Sequence, residues 1–411
     1  MNPVARNSLF FLLMSTIACN DPASTKPPVG AADSTAANTY ATDRKFLQEH
    51  SGGLLELTSA DGKSRVLLSA DYQGRVMTSS ANGEDGRSFG WLNYKLIQSP
   101  EKKAQFNPVG GEERFWLGPE GGQYSLYFKR GDSFNINHWQ VPALIDTLAY
   151  DVADSSKEKA VFTKKASLVN YSGTQFDFLV ERSISLLGRS DLEAKIGASM
   201  PDDVQFVGYR TDNKIQNTGG TDWTPDKGLM SVWLLGMFTP SPKTTVIIPF
   251  TPVKDARSHI TDNYFGAVPP ERLQVTDSVL FFQCDGKFRS KIGLSPVVAK
   301  PMAASFDFQE NVLTLVIPTI SKNERYVNAK WELQKEPYKG DVINSYNDGP
   351  LENGEQMGPF YEIESSSPAL ELKKGEARTY SQVTAHVQGN YESLRALALK
   401  LLQVDLNTIK K

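Results

Sequence analysis

Cysteine is almost absent from this 411-residue chain, which contains only Cys19 and Cys284. If Cys19 is acylated, Cys284 has no partner, so an intramolecular disulfide framework is excluded and stability must come from a packed core. Cys284 follows Phe281 and Phe282 in an apolar run. This setting is typical of a buried, inert thiol rather than of a reactive nucleophile.

The chain also lacks an excess of positive charge. It has 44 Lys and Arg against 47 Asp and Glu, for a formal net charge of −3. No Lys/Arg cluster is interleaved with aromatic residues. The sequence therefore argues against a nucleic-acid partner, because such proteins need basic side chains to neutralise phosphates.

Histidine is scarce, and the sequence has no His-Glu-x-x-His motif and no phosphate-binding Gly-rich loop. The four histidines, His50, His138, His259 and His386, lie far apart in the sequence and have no partner at metal-ligand spacing. We therefore predict structural roles for them. No metal site is predicted, and no cofactor is implied.

The N-terminal residues have the pattern of an export signal. Arg6 supplies a positive charge, Leu9 to Met14 form an apolar run, and Thr16 to Cys19 resemble the lipobox of bacterial lipoproteins. The run is too short to span a bilayer, which needs roughly 20 apolar residues. We predict a lipoprotein signal peptide over residues 1–18 and acylation of Cys19; the alternative is an ordinary secretory signal with an incidental cysteine.

Residues 19–41 have the composition of a flexible tether. They are rich in Pro, Ala, Ser and Thr and contain almost no large apolar side chains, so they cannot bury enough surface to fold. The predicted protein is thus anchored to a membrane by lipid, in the periplasm or at the cell surface. Residues 42–411 are predicted to form a single domain, and the sequence gives no indication of its oligomeric state.

The body of the chain is a succession of short strand-like runs. Leu55–Leu57, Val66–Leu68 and Val76–Thr78 are separated by Gly-containing turn signals and predict a meander. Similar runs, beginning with Tyr124–Phe128 and ending with Arg378–His386, continue between Gly- and Pro-rich connections. This pattern predicts a mainly all-β fold of antiparallel sheets packed as a sandwich.

Two peripheral helices are predicted beside the strands. One covers about residues 43–50, with Thr42 as its cap and glycines after its end. The other covers residues 391–402, where Leu394, Leu397, Ala398 and Leu401 recur at helical spacing. We expect the C-terminal helix to dock on the body.

Six stretches follow one another along the chain: Leu54–Met77, Arg114–Gly122, Asn170–Gly173, Arg182, Asn213–Asn217 and Gly358–Ala369. Taken in this order, they resemble galactose mutarotase-like proteins, the superfamily that includes the aldose 1-epimerases. The resemblance covers most of the mature chain and is also to an uncharacterised family of Bacteroidota lipoproteins carrying a domain of unknown function. It implies a β-supersandwich that binds a sugar on a concave sheet.

The resemblance also implies a catalytic glutamate on a late strand, where Glu362 and Glu364 lie. In aldose 1-epimerases this glutamate acts as a base on the anomeric hydroxyl, and a histidine acts as an acid at the ring oxygen. The two motifs that carry histidine in that family here read Arg114-Phe-Trp-Leu117 and Asn213-Lys-Ile-Gln-Asn217. The chain therefore departs from the family pattern at the acid.

Strand alternation places Glu362 and Glu364 on one face, about 7 Å apart along the strand. Two carboxyls on a shared surface would repel each other, so that one stays protonated as an acid while the other acts as a base. The alternative is a solvated edge carrying two glutamates without a function.

Alternation likewise places Arg114 and Trp116 on one face of their strand. The indole would offer a platform for a sugar ring, and the guanidinium would donate hydrogen bonds to hydroxyls or to a uronate carboxylate. The alternative places Trp116 in the core and pairs Arg114 with Glu112, Glu113 or Glu120. Further candidate substrate-binding residues are Glu120, Asn213, Asn217, Trp233, Lys291 and Asp348; turn formation is the rival role for Asn217 and Asp348.

Three functions remain open. The first is an extracytoplasmic lipoprotein that binds carbohydrate and acts on it by acid/base chemistry. The second is a carbohydrate-binding module without catalysis. The third is a structural or assembly lipoprotein, which would bind no glycan.

Overall fold

Short runs of β-branched and aromatic residues form three antiparallel sheets in the computed structural model, which describes residues 39–409. The described residues belong to one compact unit. The predicted signal peptide, Cys19 and the tether up to residue 38 lie outside them. The mainly β, antiparallel architecture predicted from the sequence is confirmed.

The strands are β1 Leu54–Thr58, β2 Arg65–Ser69, β3 Arg75–Ser80, β4 Arg114–Gly118, β5 Asp151–Ser155, β6 Lys159–Val169, β7 Gln175–Leu186, β8 Gln205–Asn217, β9 Ser231–Phe238, β10 Thr244–Pro249, β11 Ile260–Thr261, β12 Leu273–Val275, β13 Val279–Gln283, β14 Ser290–Leu294, β15 Ala303–Asp307, β16 Val312–Pro318, β17 Ile343–Asn347, β18 Tyr361–Ser366 and β19 Ala377–Gln388. The helices are α1 Tyr40–His50, α2 Tyr94–Ile97, α3 Ala143–Asp146, α4 Arg189–Ile196 and α5 Tyr391–Leu402, with 3₁₀ turns at Ala256–His259 and Leu406–Thr408.

The predicted meander is the three-stranded sheet β1-β2-β3. A ten-stranded sheet has the order β12-β13-β10-β15-β16-β19-β8-β7-β6-β5, and a six-stranded sheet has the order β11-β14-β17-β18-β9-β4. The meander packs on the β6 to β8 part of the ten-stranded sheet.

The six-stranded sheet packs one face against the ten-stranded sheet. Phe115, Tyr361 and Ile363 point to that interior, where the hydroxyls of Tyr361 and Ser305 are 2.7 Å apart. Burying each large apolar side chain there contributes about 1.5–3 kcal/mol. Strand alternation then directs Arg114 and Glu362 to the opposite, outer face of the six-stranded sheet, as the sequence predicted.

The C-terminal helix α5 is confirmed. The Asn390 side chain caps it by accepting from the Glu392 N–H, and Leu394 and Leu397 are buried in a core that includes strands of the ten-stranded sheet. Helix α5 contacts β10 and β16. It therefore docks on the body, as expected from its apolar stripe.

The N-terminal helix begins earlier than predicted. Thr39, not Thr42, is the N-cap, and its side chain accepts from the Thr42 N–H. Tyr40 is fully buried, and its hydroxyl donates to Glu56. The last residues assigned to the tether are thus part of the folded body, because one aromatic side chain reaches a core position.

The strand predicted at Tyr124–Phe128 is wrong. The backbone N–H groups there bond locally, from Ser125 to the Gly122 carbonyl and from Leu126 to the Pro119 carbonyl. The apolar side chains instead pack as a loop, with Phe128 against Trp331. Within residues 39–409, no helix is long and apolar enough to cross a membrane.

Candidate functional site

Polar residues from five strands and their connecting loops meet on the outer face of the six-stranded sheet. Glu362 and Glu364 on β18 lie opposite Met237 and Leu235 on β9, and Arg114 on β4 lies opposite Leu235 from the other side. Because cross-strand partners point to the same face, the sheet brings these side chains together. We call the following set the acidic face: Glu120, Asp341, Asp348, Glu362 and Glu364, with Arg114, Trp233 and Lys291.

Glu364 lies at the centre of the acidic face and is 1% exposed. Its Oε2 accepts from the Lys291 ammonium at 2.9 Å and from the Trp233 indole N–H at 2.9 Å. Its Oε1 is buried and accepts no hydrogen bond from the described residues. A buried carboxylate oxygen without a donor is costly, so this atom marks a position where a ligand hydroxyl, ammonium or water would be stabilised.

Glu362 is paired with the Arg114 guanidinium, and both side chains are nearly buried. Burial raises the pKa of Glu362 to about 8; the positive charge of Arg114 opposes this shift and the negative charge of Glu364 adds to it. A carboxyl that titrates near neutral pH suits proton exchange with a bound molecule. The resemblance predicted a glutamate on this late strand, and alternation predicted that Glu362 shares a face with Glu364.

Glu120 extends from the loop after β4 and is partly exposed. Burial raises the pKa of Glu120, and the Glu364 charge raises it further, while Lys291 and the indole N–H groups of Trp331 and Trp139 act in the opposite direction. The Lys291 ammonium therefore interacts electrostatically with both Glu120, at the rim of the acidic face, and Glu364.

Lys291 on β14 lies between these carboxylates. Burial by itself would lower the pKa of Lys291, but the charges of Glu364 and Glu120 outweigh it and hold the pKa above its usual value. The ammonium also lies 5.0 Å from the ring centroid of Trp233 and 5.6 Å from that of Tyr264. These aromatic faces favour the charged form.

A tyrosine, a carboxyl and an amide were missed as a group by sequence reasoning. Tyr264 donates to Asp341 at 2.5 Å and accepts from Asn344 at 3.2 Å. Gly293 makes this possible, because a Cβ there would lie only 2.1 Å from the Asp341 carboxylate. Burial raises the pKa of Asp341.

Asp348 lies at the other end of the acidic face. It accepts from the Tyr346 hydroxyl at 2.6 Å and from the Gly358 N–H at 3.0 Å, and burial raises its pKa. The negative charge of Asp348 also raises the pKa of Glu362, so the two carboxyls interact electrostatically.

The platform hypothesis for Trp116 is wrong in this structure. Trp116 is 3% exposed and packs against Phe106, Tyr127 and Trp233, so its ring faces are occupied by protein. The Arg114 guanidinium lies over this ring, 5.0 Å from its centroid. The Arg114 guanidinium donates to Glu362, so its predicted alternative partners Glu112, Glu113 and Glu120 are incorrect, and its pairing with a uronate stays a prediction.

Asn213 and Asn217 do not belong to the acidic face, because β8 lies in the ten-stranded sheet. Asn213 is fully buried and accepts from Arg182. Asn217 accepts from the Gly219 N–H at 3.0 Å and donates to the Thr221 carbonyl at 2.9 Å, which is the turn-forming role given as its alternative. These two binding-site predictions are corrected.

Other nucleophiles and metal ligands do not form a second site among residues 39–409. No group of three or more His, Cys, Asp or Glu side chains is arranged to hold a metal ion there. Cys284 is fully buried, and burial raises its pKa far above the usual value. Ser88 lies in a Gly-x-Ser-x-Gly segment but is 2% exposed and donates to Asp43, so it is not an accessible nucleophile.

Comparisons with known proteins give one family and several similar folds. Residues 38–411 match the family of unknown function DUF6786. No curated protein matches the chain.

Similar solved structures include three with names related to aldose epimerases. A candidate aldose 1-epimerase from Escherichia coli has 11% identity and a TM-score of 0.48, covering 82% of this chain and 99% of that one. A galactose mutarotase-like protein from Lactobacillus casei has 10% identity and a TM-score of 0.47, covering 81% and 100%. A galactose mutarotase related enzyme from Lactobacillus acidophilus has 10% identity and a TM-score of 0.42, covering 82% and 97%.

Proposed function

Since the chain belongs to DUF6786, a family of unknown function, we propose from its own residues that it binds a saccharide at the acidic face, with Glu362 and Glu364 as the pair that exchanges protons with it. That the family consists of Bacteroidota lipoproteins stays a prediction.

The free Oε1 of Glu364 carries this proposal. The other oxygen of the same carboxylate, Oε2, accepts from the Lys291 ammonium and the Trp233 indole N–H. Oε1 is buried, yet no described residue donates to it. Saccharide hydroxyls are donors of the kind that such an atom accepts. The exposed part of Glu120 and the partly exposed ring of Trp331 lie at the rim of the same surface.

The chemistry follows from the two environments of the glutamates. Glu364 keeps one oxygen free to accept a proton from a ligand hydroxyl. Glu362, whose pKa is raised to about 8 mainly by burial, retains a proton at neutral pH and can return it to a leaving or ring oxygen. General acid–base catalysis of this kind contributes typically 10²–10⁴-fold to a rate.

A second candidate function is saccharide binding without catalysis. It is favoured by the ion pairs that already engage both glutamates, Glu362 with Arg114 and Glu364 with Lys291. It is also favoured by the absence of histidine from the acidic face: His386 lies in the interior against Glu112, and His259 bonds to Ser295.

A glycan array followed by reducing-end and anomeric-exchange assays tests these functions. Glu364→Gln removes the charge of the proposed acceptor and should weaken glycan binding by about tenfold or more, because hydrogen bonds to charged groups contribute about 1.5–3 kcal/mol. Glu362→Gln should retain binding and lose turnover if the protein is an enzyme, or retain binding with no turnover to lose if it is a binder.

The matched control is Glu371→Gln, which changes an exposed glutamate paired with Arg325. It should leave binding unchanged. Absence of any glycan signal from the folded wild-type protein would overturn the proposal in favour of a structural or assembly role.

We also propose that Cys19 is acylated and that the protein is anchored to a membrane outside the cytoplasm. The support is the sequence pattern of Leu9 to Cys19. Mass spectrometry of the membrane-associated protein should find a lipid-modified N-terminal cysteine, and Cys19→Ser should release the protein from the membrane. An unmodified Cys19 in the wild-type membrane fraction would contradict this.

A further inference from the structure

The acidic face carries more acidic than basic side chains. Within the described residues, its five carboxyl groups are accompanied by Arg114 and Lys291, and Arg289 lies beside it, where its Nε donates to the Tyr346 hydroxyl. Glu362 and Glu364 each have one cationic partner. Asp341 and Asp348 accept only from neutral donors in the contacts described above.

Burial makes this imbalance energetically important. Glu364, Asp348 and Glu362 are 1%, 1% and 6% exposed. A charge removed from water is costly unless a partner of opposite sign or several hydrogen bonds replace the lost hydration. The electrostatic surroundings therefore favour a ligand that brings positive charge and disfavour one that brings a carboxylate.

The carboxylate oxygen that lacks a hydrogen-bond donor belongs to the same group of acidic side chains. Glu364 Oε1 lacks a donor, while its other oxygen already receives two. A hydroxyl could donate to Oε1, but an ammonium would donate and would also bring a positive charge next to the Glu364 carboxylate. Charge-assisted hydrogen bonds of this type are roughly twice as strong as neutral ones.

We propose that the ligand is a saccharide bearing a free, protonated amino group, and that the amine binds Glu364 Oε1. This inference rests on the proposed function and specifies its substrate class. It disfavours the uronate ligands that Arg114 suggested from sequence, because the guanidinium already donates to Glu362.

The test is an array holding matched sets of each saccharide in free-amine, N-acetylated, neutral and uronate forms, probed with the full chain at neutral pH. We expect the free-amine members to bind best and the uronates worst. Chemical N-acetylation of the strongest ligand should then weaken its binding by about tenfold or more in calorimetry.

The variant Glu364→Gln should reduce the preference for the amine over its N-acetylated form to less than about threefold, because it removes the charge and keeps the shape. The control Glu371→Gln should preserve the full preference. Thermal unfolding of both variants establishes that they are folded.

The possible failures are distinguishable. If neutral or uronate saccharides bind as well as the free amines, this inference is wrong while the proposed function stands. If a preference for amines persists in Glu364→Gln, the assignment of the amine to Glu364 is wrong. If no saccharide binds, the proposed function and this inference are both overturned.

Discussion

Two buried charge clusters in this protein differ in how completely their hydrogen bonds are satisfied. The Arg182 cluster, formed by Glu113, Arg182, Asn213, Gln382 and Thr384, lies between the ten-stranded sheet and the meander. There Arg182 donates to the Gly74 carbonyl, Asn213 and Glu113, and both Glu113 oxygens have partners. The acidic face leaves Glu364 Oε1 and Arg114 Nε without partners among the described residues.

Whether all buried polar atoms have hydrogen-bond partners distinguishes a structural cluster from a binding site better than the residue types do. Both clusters contain glutamates paired with cations, and both are mostly buried. A completely satisfied cluster has no remaining donor or acceptor for a ligand, and it can only hold elements together. A cluster with an unsatisfied buried polar atom keeps the desolvation cost of that atom, and a ligand that hydrogen-bonds to the atom removes this cost.

The largest expected effect is on the stability of the Arg182 cluster. Glu113→Ala leaves a fully buried guanidinium without its counter-charge, which should lower the free energy of unfolding by about 3–5 kcal/mol. Urea denaturation measures this. The control Glu181→Ala, which breaks an exposed pair with Lys214, should cost about 0–1 kcal/mol; equal losses would contradict the distinction between the clusters.

The next effect separates turn formation from binding at β8. Asn217→Ala removes three hydrogen bonds, to the Gly219 N–H and to the Thr221 and Leu372 carbonyls. It should lower the free energy of unfolding by about 1–3 kcal/mol and leave saccharide affinity unchanged. A selective loss of affinity without loss of stability would return Asn217 to the binding site.

A pH dependence is expected at the acidic face. The pKa of Glu362 is raised from its usual value to about 8 by burial, so the folded state binds this proton more tightly than the unfolded state. Its contribution to stability is therefore present at low pH and is lost as the pH rises through about 8, with a slope of at most about 1.4 kcal/mol per pH unit.

Glu362→Gln should remove this component, because the amide does not titrate. The measurement is the difference in unfolding free energy between wild type and variant from pH 5 to 9. The difference cancels the other raised carboxyls, such as Glu120 and Asp341. Parallel pH profiles would show that Glu362 titrates as it does in the unfolded chain.

The smallest effect concerns the indole donor of the acidic face. Trp233→Phe keeps an aromatic ring but removes the N–H that donates to Glu364, which should cost about 0.5–1.5 kcal/mol of stability and shift saccharide affinity severalfold. Trp223→Phe is the matched control, because Trp223 packs against Phe176 and Phe178 in the other sheet. It should leave affinity unchanged.

Strand alternation was the reliable part of the sequence prediction. The faces of Glu362, Glu364, Arg114 and Trp116 were all assigned correctly, because the side-chain period of a strand is a local property. The contact between Arg114 and Glu362 was not predicted. The two residues are 248 positions apart, and β9 lies between their strands, so the contact depends on a sheet order that no local pattern specifies.

The errors have the same origin. Asn213 and Asn217 were predicted to bind substrate together with Trp233, but β8 and β9 belong to different sheets. Trp116 was predicted to be a platform for a sugar ring because it lies on the same strand face as Arg114. Phe106 and Tyr127, which lie in irregular loops, cover its ring. Glu120, Trp233, Lys291 and Asp348, by contrast, do reach the acidic face.

The clustering of indoles near the acidic face has a practical consequence for detecting a ligand. The ring centroids of Trp116 and Trp233 are 5.6 Å apart, those of Trp139 and Trp331 are 6.0 Å apart, and the Trp233 N–H bonds directly to Glu364. Any molecule that alters the field around Glu364 must also perturb the excited state of these chromophores. Intrinsic fluorescence thus offers a label-free titration signal.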